Sequence, residues 1–496
     1  MILLPLLLLL PAAHALTVEV SPGDDLATIT SSLAAGDEIV FTDGVYELDS
    51  TLSWTGQGTA DAPIRLVAAE GASPVLELVR NADGAWGSST IVYLQDAAFF
   101  EVVGLHFRGG DGWDSEDAGF SGLSLSETTD VLLQDIEISR VGRTALNLAN
   151  NNTRLTVQRA HLHDTRDGDG IAAGCSDASC FLVDSLIDRA WIHGIGGDRY
   201  AISLRHGSQG NVVRDSVIYD VAYRGVYLGS TEFGAANELL ANAIWDTGSW
   251  AVTVYGAARV RNNVIFGAGE GGIYTADPDR GTYEDVVISY NTVVDTADWA
   301  VEARDWTTAP SVVLSSNALC NPLGLAASVE REAADTGVTP LADAWISDNV
   351  MCGLVEGLRA DAGEVFAGAG WSDFVDPAGW DLYPSPDSTL VDAGDPSSGA
   401  WVPATDFNGA SRPGDAPDVG AYEWSGEQNP GWVIQEGFKS LDLQSGPPPE
   451  VLGGCCRKGE DAGAADTGAL LLLPLSLLVG LRRTRIAGGD PPQARS

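Results

Sequence analysis

Arg205 and His206 stand side by side in AISLRHGSQG (201 to 210), at the end of an alternating apolar segment, in a chain of 496 residues with a formal net charge of −42. Nearby in sequence lie His161 and His163 in HLHD, Asp167 and Asp169 in RDGDG, then His193, Arg166, Arg199, Arg224 and Tyr227. Such a concentration of basic groups on an acidic protein attracts an anionic ligand to one place while the rest of the surface repels it. A guanidinium grips a carboxylate through parallel N–H bonds but does not readily give up its proton. Proton transfer would therefore fall to His161, His163, His193, His206 and Tyr227. Lysine is confined to Lys439 and Lys458, beyond the repetitive body, so basic chemistry there must use Arg, His or Tyr. The acidic excess argues against nucleic acid as a partner. The chain is expected to act as a monomer.

What positions these groups is repetitive. A phrase of apolar residues alternating around a small polar one recurs as LTVQRAHLHD (155 to 164), NVVRDSVIYD (211 to 220), NELLANAIWD (237 to 246), ARVRNNVIFG (258 to 267), VVISYNTVVD (286 to 295), VVLSSNALCN (312 to 321) and AWISDNVMCG (344 to 353). The spacing suits a solenoid, and the period-2 alternation reads each phrase as a strand. Asn242, Asn263, Asn291, Asn317 and Asn349 share one slot and are expected to stack as an amide ladder at a bend. Cys320 and Cys352 share another slot, placed to cross-link neighbouring coils, while Cys175 and Cys180 read as a local staple.

A second strand follows each phrase: GIAAG (170 to 174), AISLRH (201 to 206), GVYLG (225 to 229), AVTVY (251 to 255), GIYTA (272 to 276) and AVEARD (300 to 305). Aligned, their outward third positions are Ala172, Ser203, Tyr227, Thr253, Tyr274 and Glu302, and their fifth positions include Arg205, Tyr255 and Arg304. Together with Arg224, this file of aromatic, hydroxyl and guanidinium groups suits the binding of sugar rings. The fold expected is all-β, a right-handed parallel β-helix over residues 16–424. The segment 36–71 supplies N-terminal coils, 101–110 continues them, and DFNGASRPGDAPDVGAYEW (406 to 424) closes the domain.

The ends read as processing signals. MILLPLLLLLPAAHA (1 to 15) pairs an apolar run with Ala13-His14-Ala15, the small-x-small pattern of a signal peptide, so export is expected. Residues 425–467 read as a Gly/Pro/Glu-rich linker carrying Cys455 and Cys456, and 468–496 as an apolar run with a basic tail. That run is short for a bilayer span. The arrangement resembles bacterial tripartite sorting tags of the MYXO-CTERM type, which implies attachment to the cell surface through Cys455 or Cys456.

LRHG, preceded by an acidic-x-acidic pair, resembles polysaccharide lyase family six, the chondroitinase B and alginate lyase group. GDEIVFTDGVYEL, GTADAPIRLVAAEG and VVGLHFRGG resemble the same group's N-terminal coils. The resemblance implies that Asp167 and Asp169 bind Ca²⁺, with Asn147 as a further ligand, and that Arg205 and His206 serve catalysis. The family's lysine base falls on Gly174, a departure that takes the base away. In a uronate lyase a cation neutralises the carboxylate, a base removes the C5 proton and an acid assists the departing O4.

The expected function is binding, and cleavage by β-elimination, of an acidic polysaccharide by a secreted or surface-attached protein; a C5-epimerase would share the first proton abstraction. The competing reading is a noncatalytic glycan-binding or structural module that has lost the lyase base. Hydrolysis by paired carboxylates is a third, without a polygalacturonase-like motif set to support it.

Overall fold

The computed structural model describes residues 15–441, apart from 149, 178, 230–233, 277–284, 305, 307–311, 331–343, 397–400 and 427. Its strands pair in parallel from coil to coil, building a β-solenoid of about 11 turns that matches a parallel β-helix. Each central coil contributes to three sheets. In one coil the strands are Leu186–Asp188, Trp191–Ile195 and Tyr200–Leu204; in the next they are Val212–Arg214, Val217–Ile218 and Arg224–Gly229. The inward side chains are aliphatic and fully buried, as at Ile187, Ile192, Ile202 and Val226. Each removes roughly 1.5–3 kcal/mol worth of apolar surface from water.

The recurring phrase proves to be two short strands rather than one. It bends at a residue in the left-handed region: Ala241 (φ 58°), Asn262 (57°), Tyr290 (56°), Ser316 (55°) and Asp348 (52°). The ladder asparagines sit one residue later. Their amides run coil to coil, Asn242 Nδ2 to Asn263 Oδ1 at 3.0 Å, Asn263 to Asn291 at 3.0 Å, Asn291 to Asn317 at 3.0 Å and Asn317 to Asn349 at 2.9 Å. The asparagine therefore does not itself adopt the strained backbone; it satisfies the buried polar groups that the bend creates.

Cys320 and Cys352 face each other in register on neighbouring coils and form a disulfide, with Cα atoms 4.5 Å apart. Cys175 and Cys180 are also joined, across a loop, with Cα atoms 5.1 Å apart.

Side chains between Phe374 and Ile434 lie over the outer face of the second sheet. Phe407, Tyr422, Trp432 and Ile434 are buried there with Tyr219, Trp245 and Phe266 from successive coils. Within the stretch expected as a linker from 425, Trp432 and Ile434 supply the apolar surface that docks on the coils. Lys439 is fully buried, donating to Asp215 Oδ1 at 2.9 Å and to the Ala241 carbonyl at 2.7 Å above the Phe407 ring. Sequence position had set this lysine apart from the body. The signal segment 1–14, Cys455, Cys456 and the apolar tail lie outside the described residues. Among the described residues, no helix is long and apolar enough to cross a membrane.

Candidate active site

The third sheet carries the outward file. Ala172 pairs with Ser203, Ser203 with Tyr227, Tyr227 with Thr253, Thr253 with Tyr274, and Tyr274 with Glu302. Asn147 precedes Ala172 in the same column.

Asp169 sits at the entry to this sheet and is buried. Its Oδ1 accepts from the Tyr200 backbone N–H at 3.1 Å; its Oδ2 accepts from Ser203 Oγ at 2.7 Å and from Arg205 Nη2 at 3.0 Å. Arg205, on the following coil, is thereby fixed through one edge of its fork while the side chain stays 35% exposed. The Tyr227 hydroxyl lies 3.1 Å from His206 Nε2 and donates to it when the imidazole carries its proton on Nδ1. Arg205, His206 and Tyr227 line a cleft of about 380 Å³ together with Ser176, Tyr200, Ser203 and Tyr255. Ser176 comes from within the loop closed by Cys175 and Cys180. Burial raises the Tyr200 hydroxyl above its ordinary pKa.

Aromatic contacts extend the cleft along the file. The Tyr227 and Tyr255 rings meet edge to face at 5.6 Å, and Tyr255 and Tyr274 at 6.1 Å. Arg304 lies 5.6 Å from the Tyr274 ring centroid and donates to Glu302 Oε1 at 2.7 Å. Arg224 pairs in register with Tyr200 and lies over the Tyr223 ring. Tyr200 and Ser176 were not singled out by sequence. Tyr200 stands two residues before the inward Ile202, where strict alternation would turn it inward, so the pattern hid it; Ser176 gave no signal, since its place depends on the loop.

The expected catalytic histidines divide. His161 and His163 lie on the second sheet, in the strand His161–Thr165, and do not join Arg205, His206 and Tyr227. The chain turns between Thr165 and Ile171, so the histidines face outward from the second sheet, while Arg205, His206 and Tyr227 stand on the third sheet one and two coils further on. His161 is instead 3.0 Å from His193, Nε2 to Nε2. Burial, reinforced by His163, pushes His161 down to about 3 and lowers His193. Burial also opposes charge on His163, but hydrogen bonds with Glu137 and Asp164 outweigh it and raise that ring.

The carboxylates named for calcium do not assemble a calcium site. Both Asp169 oxygens are engaged by protein donors, whereas Asp167 is half exposed and paired with Arg199 at 3.2 Å. Hard-ion coordination needs six or more converging oxygens, and this donor set does not fit it. Gly174, the lysine slot, has φ 76°, and a Cβ there would stand 2.8 Å from Ser208 Oγ and 3.1 Å from the Cys180 carbonyl. The left-handed backbone and the close approach of Ser208 and the Cys180 carbonyl disfavour a side chain at that position.

No family profile and no curated protein matches the chain. Solved structures do. The chain is similar to the pectate lyase Pel9A, with 15% identity and a TM-score of 0.51 over 83% of this chain and 97% of that one. It is also similar to the A-module of the mannuronan C-5 epimerase AlgE6 of Azotobacter vinelandii, with 15% identity and a TM-score of 0.51 over 65% and 88%. A mannuronic acid specific polysaccharide family 6 lyase from human gut microbiota matches with 14% identity and a TM-score of 0.45 over 71% and 90%. The fold is thus a parallel β-helix, shared with the pectate lyase and the C-5 epimerase module.

Proposed function

We propose that the chain binds an acidic, uronate-containing polysaccharide along the third sheet and cleaves it by β-elimination in the Arg205–His206–Tyr227 cleft. The observation that carries this reading is the 3.1 Å contact between Tyr227 and His206 beside a guanidinium held by a buried carboxylate. Arg205 neutralises the uronate carboxylate, which makes the C5 proton more acidic. Tyr227 Oη takes that proton as its own passes to His206 Nε2. The C4–C5 double bond forms, the C4–O4 bond breaks, and O4 receives a proton from Tyr227, which recovers one from the imidazolium. Base and acid are thus one dyad, which takes over the function of the lysine absent at 174. Tyr255, Tyr274, Arg224 and Arg304 extend the binding surface to neighbouring sugars.

The mature exported chain, attached through Cys455 or Cys456, would carry out this reaction at the cell surface. A noncatalytic glycan-binding role is the second reading, favoured by Gly174 and by the continuous aromatic file.

Ultraviolet absorbance of unsaturated uronate, followed over a panel of uronate polysaccharides, tests the proposal. Tyr227→Phe is expected to lower turnover at least about 100-fold while binding persists, and Arg205→Ala to weaken binding as well. Added chelator is expected to leave turnover unchanged. Undiminished turnover in Tyr227→Phe would refute the dyad; binding to the panel without absorbance would favour the noncatalytic role.

A further inference from the structure

The second sheet holds a cluster that the proposed elimination does not use. His161–Thr165 and Trp191–Ile195 pair so that His161 lies opposite Trp191 and His163 opposite His193. Leu162 and Ile192 point into the core, leaving these four rings on the outer face. His161 stacks on Trp191 with ring centroids 3.8 Å apart and planes within 4°, which fixes the imidazole's orientation. Its Nε2 meets His193 Nε2 diagonally at 3.0 Å. His163 completes the group: one ring nitrogen from each histidine lies within 4.8 Å of the others.

We infer that His161, His163 and His193 form a binding site for a divalent transition-metal ion of the zinc class. With metal–nitrogen bonds of about 2.0–2.1 Å, nitrogens 3.0 Å apart subtend roughly 90–95° at a shared ion, and an increase of a few tenths of an ångström reaches the tetrahedral value. An all-imidazole set favours zinc, copper or nickel over calcium and magnesium. The surroundings complete the arrangement. Asp164 Oδ2 lies 3.0 Å from His163 Nδ1 and orients that ring for coordination through Nε2, the carboxylate–histidine pairing common around metals. Glu137 Oε1 lies 3.3 Å from His163 Nε2 and also 3.3 Å from His106 Nε2, so an acidic group borders the site and offers a further ligand. The histidines are partly exposed, which gives an ion access and leaves a coordination position for water. Phe438 stands edge-on to His161 and Trp191 at the margin of the site.

The site is tested by titrating the chelator-treated, full mature chain with zinc chloride alone in a calorimeter, with calcium chloride in a parallel run. Cobalt chloride is used for a visible absorption spectrum. One zinc per chain is expected, with no calcium heat at the same concentrations and a cobalt spectrum of four- or five-coordinate type. His193→Ala and His161→Ala should each weaken zinc at least about 100-fold. These outward positions should leave the fold intact, checked by the thermal midpoint, and the milder His193→Gln should behave like the alanine variant. The inference is overturned if zinc fails to bind stoichiometrically, in which case the 3.0 Å contact is a proton-shared histidine pair. It is also overturned if binding survives the histidine variants and disappears in Cys455→Ser/Cys456→Ser.

Discussion

Two arginines close in sequence serve different ends. Arg205 faces the cleft, whereas Arg214 binds a structural carboxylate: Asp188 accepts from Arg214 Nε at 2.8 Å, Arg189 Nε at 3.0 Å and Gln158 Nε2 at 3.0 Å. Burial of Asp188 opposes its ionisation, but these three donors outweigh it and hold its carboxyl below the ordinary range. A depressed folded-state pKa contributes stability that is present above the unfolded value of about 3.9 and is lost as pH falls through the folded value. Asp188→Asn is therefore expected to destabilise the protein by about 1–3 kcal/mol at pH 7. In paired thermal melts, the difference from the native chain should shrink as pH is lowered below 4. Sequence marked Arg205, His206 and Tyr227 correctly as neighbours, because one strand period and one coil spacing place them. It grouped His161 and His163 with them on closeness in sequence, whereas the turn between Thr165 and Ile171 sets them on another sheet. Asp169's engagement with Ser203 and Arg205 depends on a contact between coils that no local pattern displays.

At the scale of the element, the corner is the unit that sets the solenoid's shape. Non-glycine residues in the left-handed region cost roughly 1–2 kcal/mol each, and the ladder amides beside them offset that cost by closing otherwise unsatisfied buried groups. Asn291 Nδ2 donates to Asn317 Oδ1 and to the Val260 carbonyl at 2.8 Å, while its own Oδ1 accepts from Asn263. Asn291→Ala breaks the ladder in the middle and should cost about 1–3 kcal/mol in urea unfolding. Asn291→Asp is expected to be worse, because a carboxylate cannot donate to Val260 or Asn317. The ladder and a bend beside it were readable because identical residues recur in one slot; which residue turns was not, since Ala241, Asn262, Tyr290, Ser316 and Asp348 have no side-chain chemistry in common.

The whole molecule divides its faces between tasks. The third sheet carries the polar-aromatic cleft, whereas the second is covered over Tyr219, Trp245 and Phe266 by Phe407, Tyr422, Trp432 and Ile434, with the histidine cluster at the margin of that cover. Deleting residues 406–441 should uncover Tyr219, Trp245 and Phe266, raising the fluorescence of a hydrophobic dye and promoting self-association. Polysaccharide binding on the third sheet should survive that deletion. The parallel architecture was legible from repeats and alternation, but the docked C-terminal strip was not. Its decisive residues, Trp432, Ile434 and Lys439, are isolated in a stretch whose average composition is that of a linker, and their partners lie some two hundred positions away.

The coil-to-coil register has a bearing on descent. Because each coil touches chiefly its neighbours, a duplicated or lost turn at the C-terminal end of the Tyr255–Arg304 file would lengthen or shorten the track while its flanking strands re-pair. A turn inserted between Asp169 and Arg205 would part a carboxylate from the guanidinium it holds. The lineage can therefore vary the length of the file at one end, while the pair at the cleft ties its two coils together through every such rearrangement.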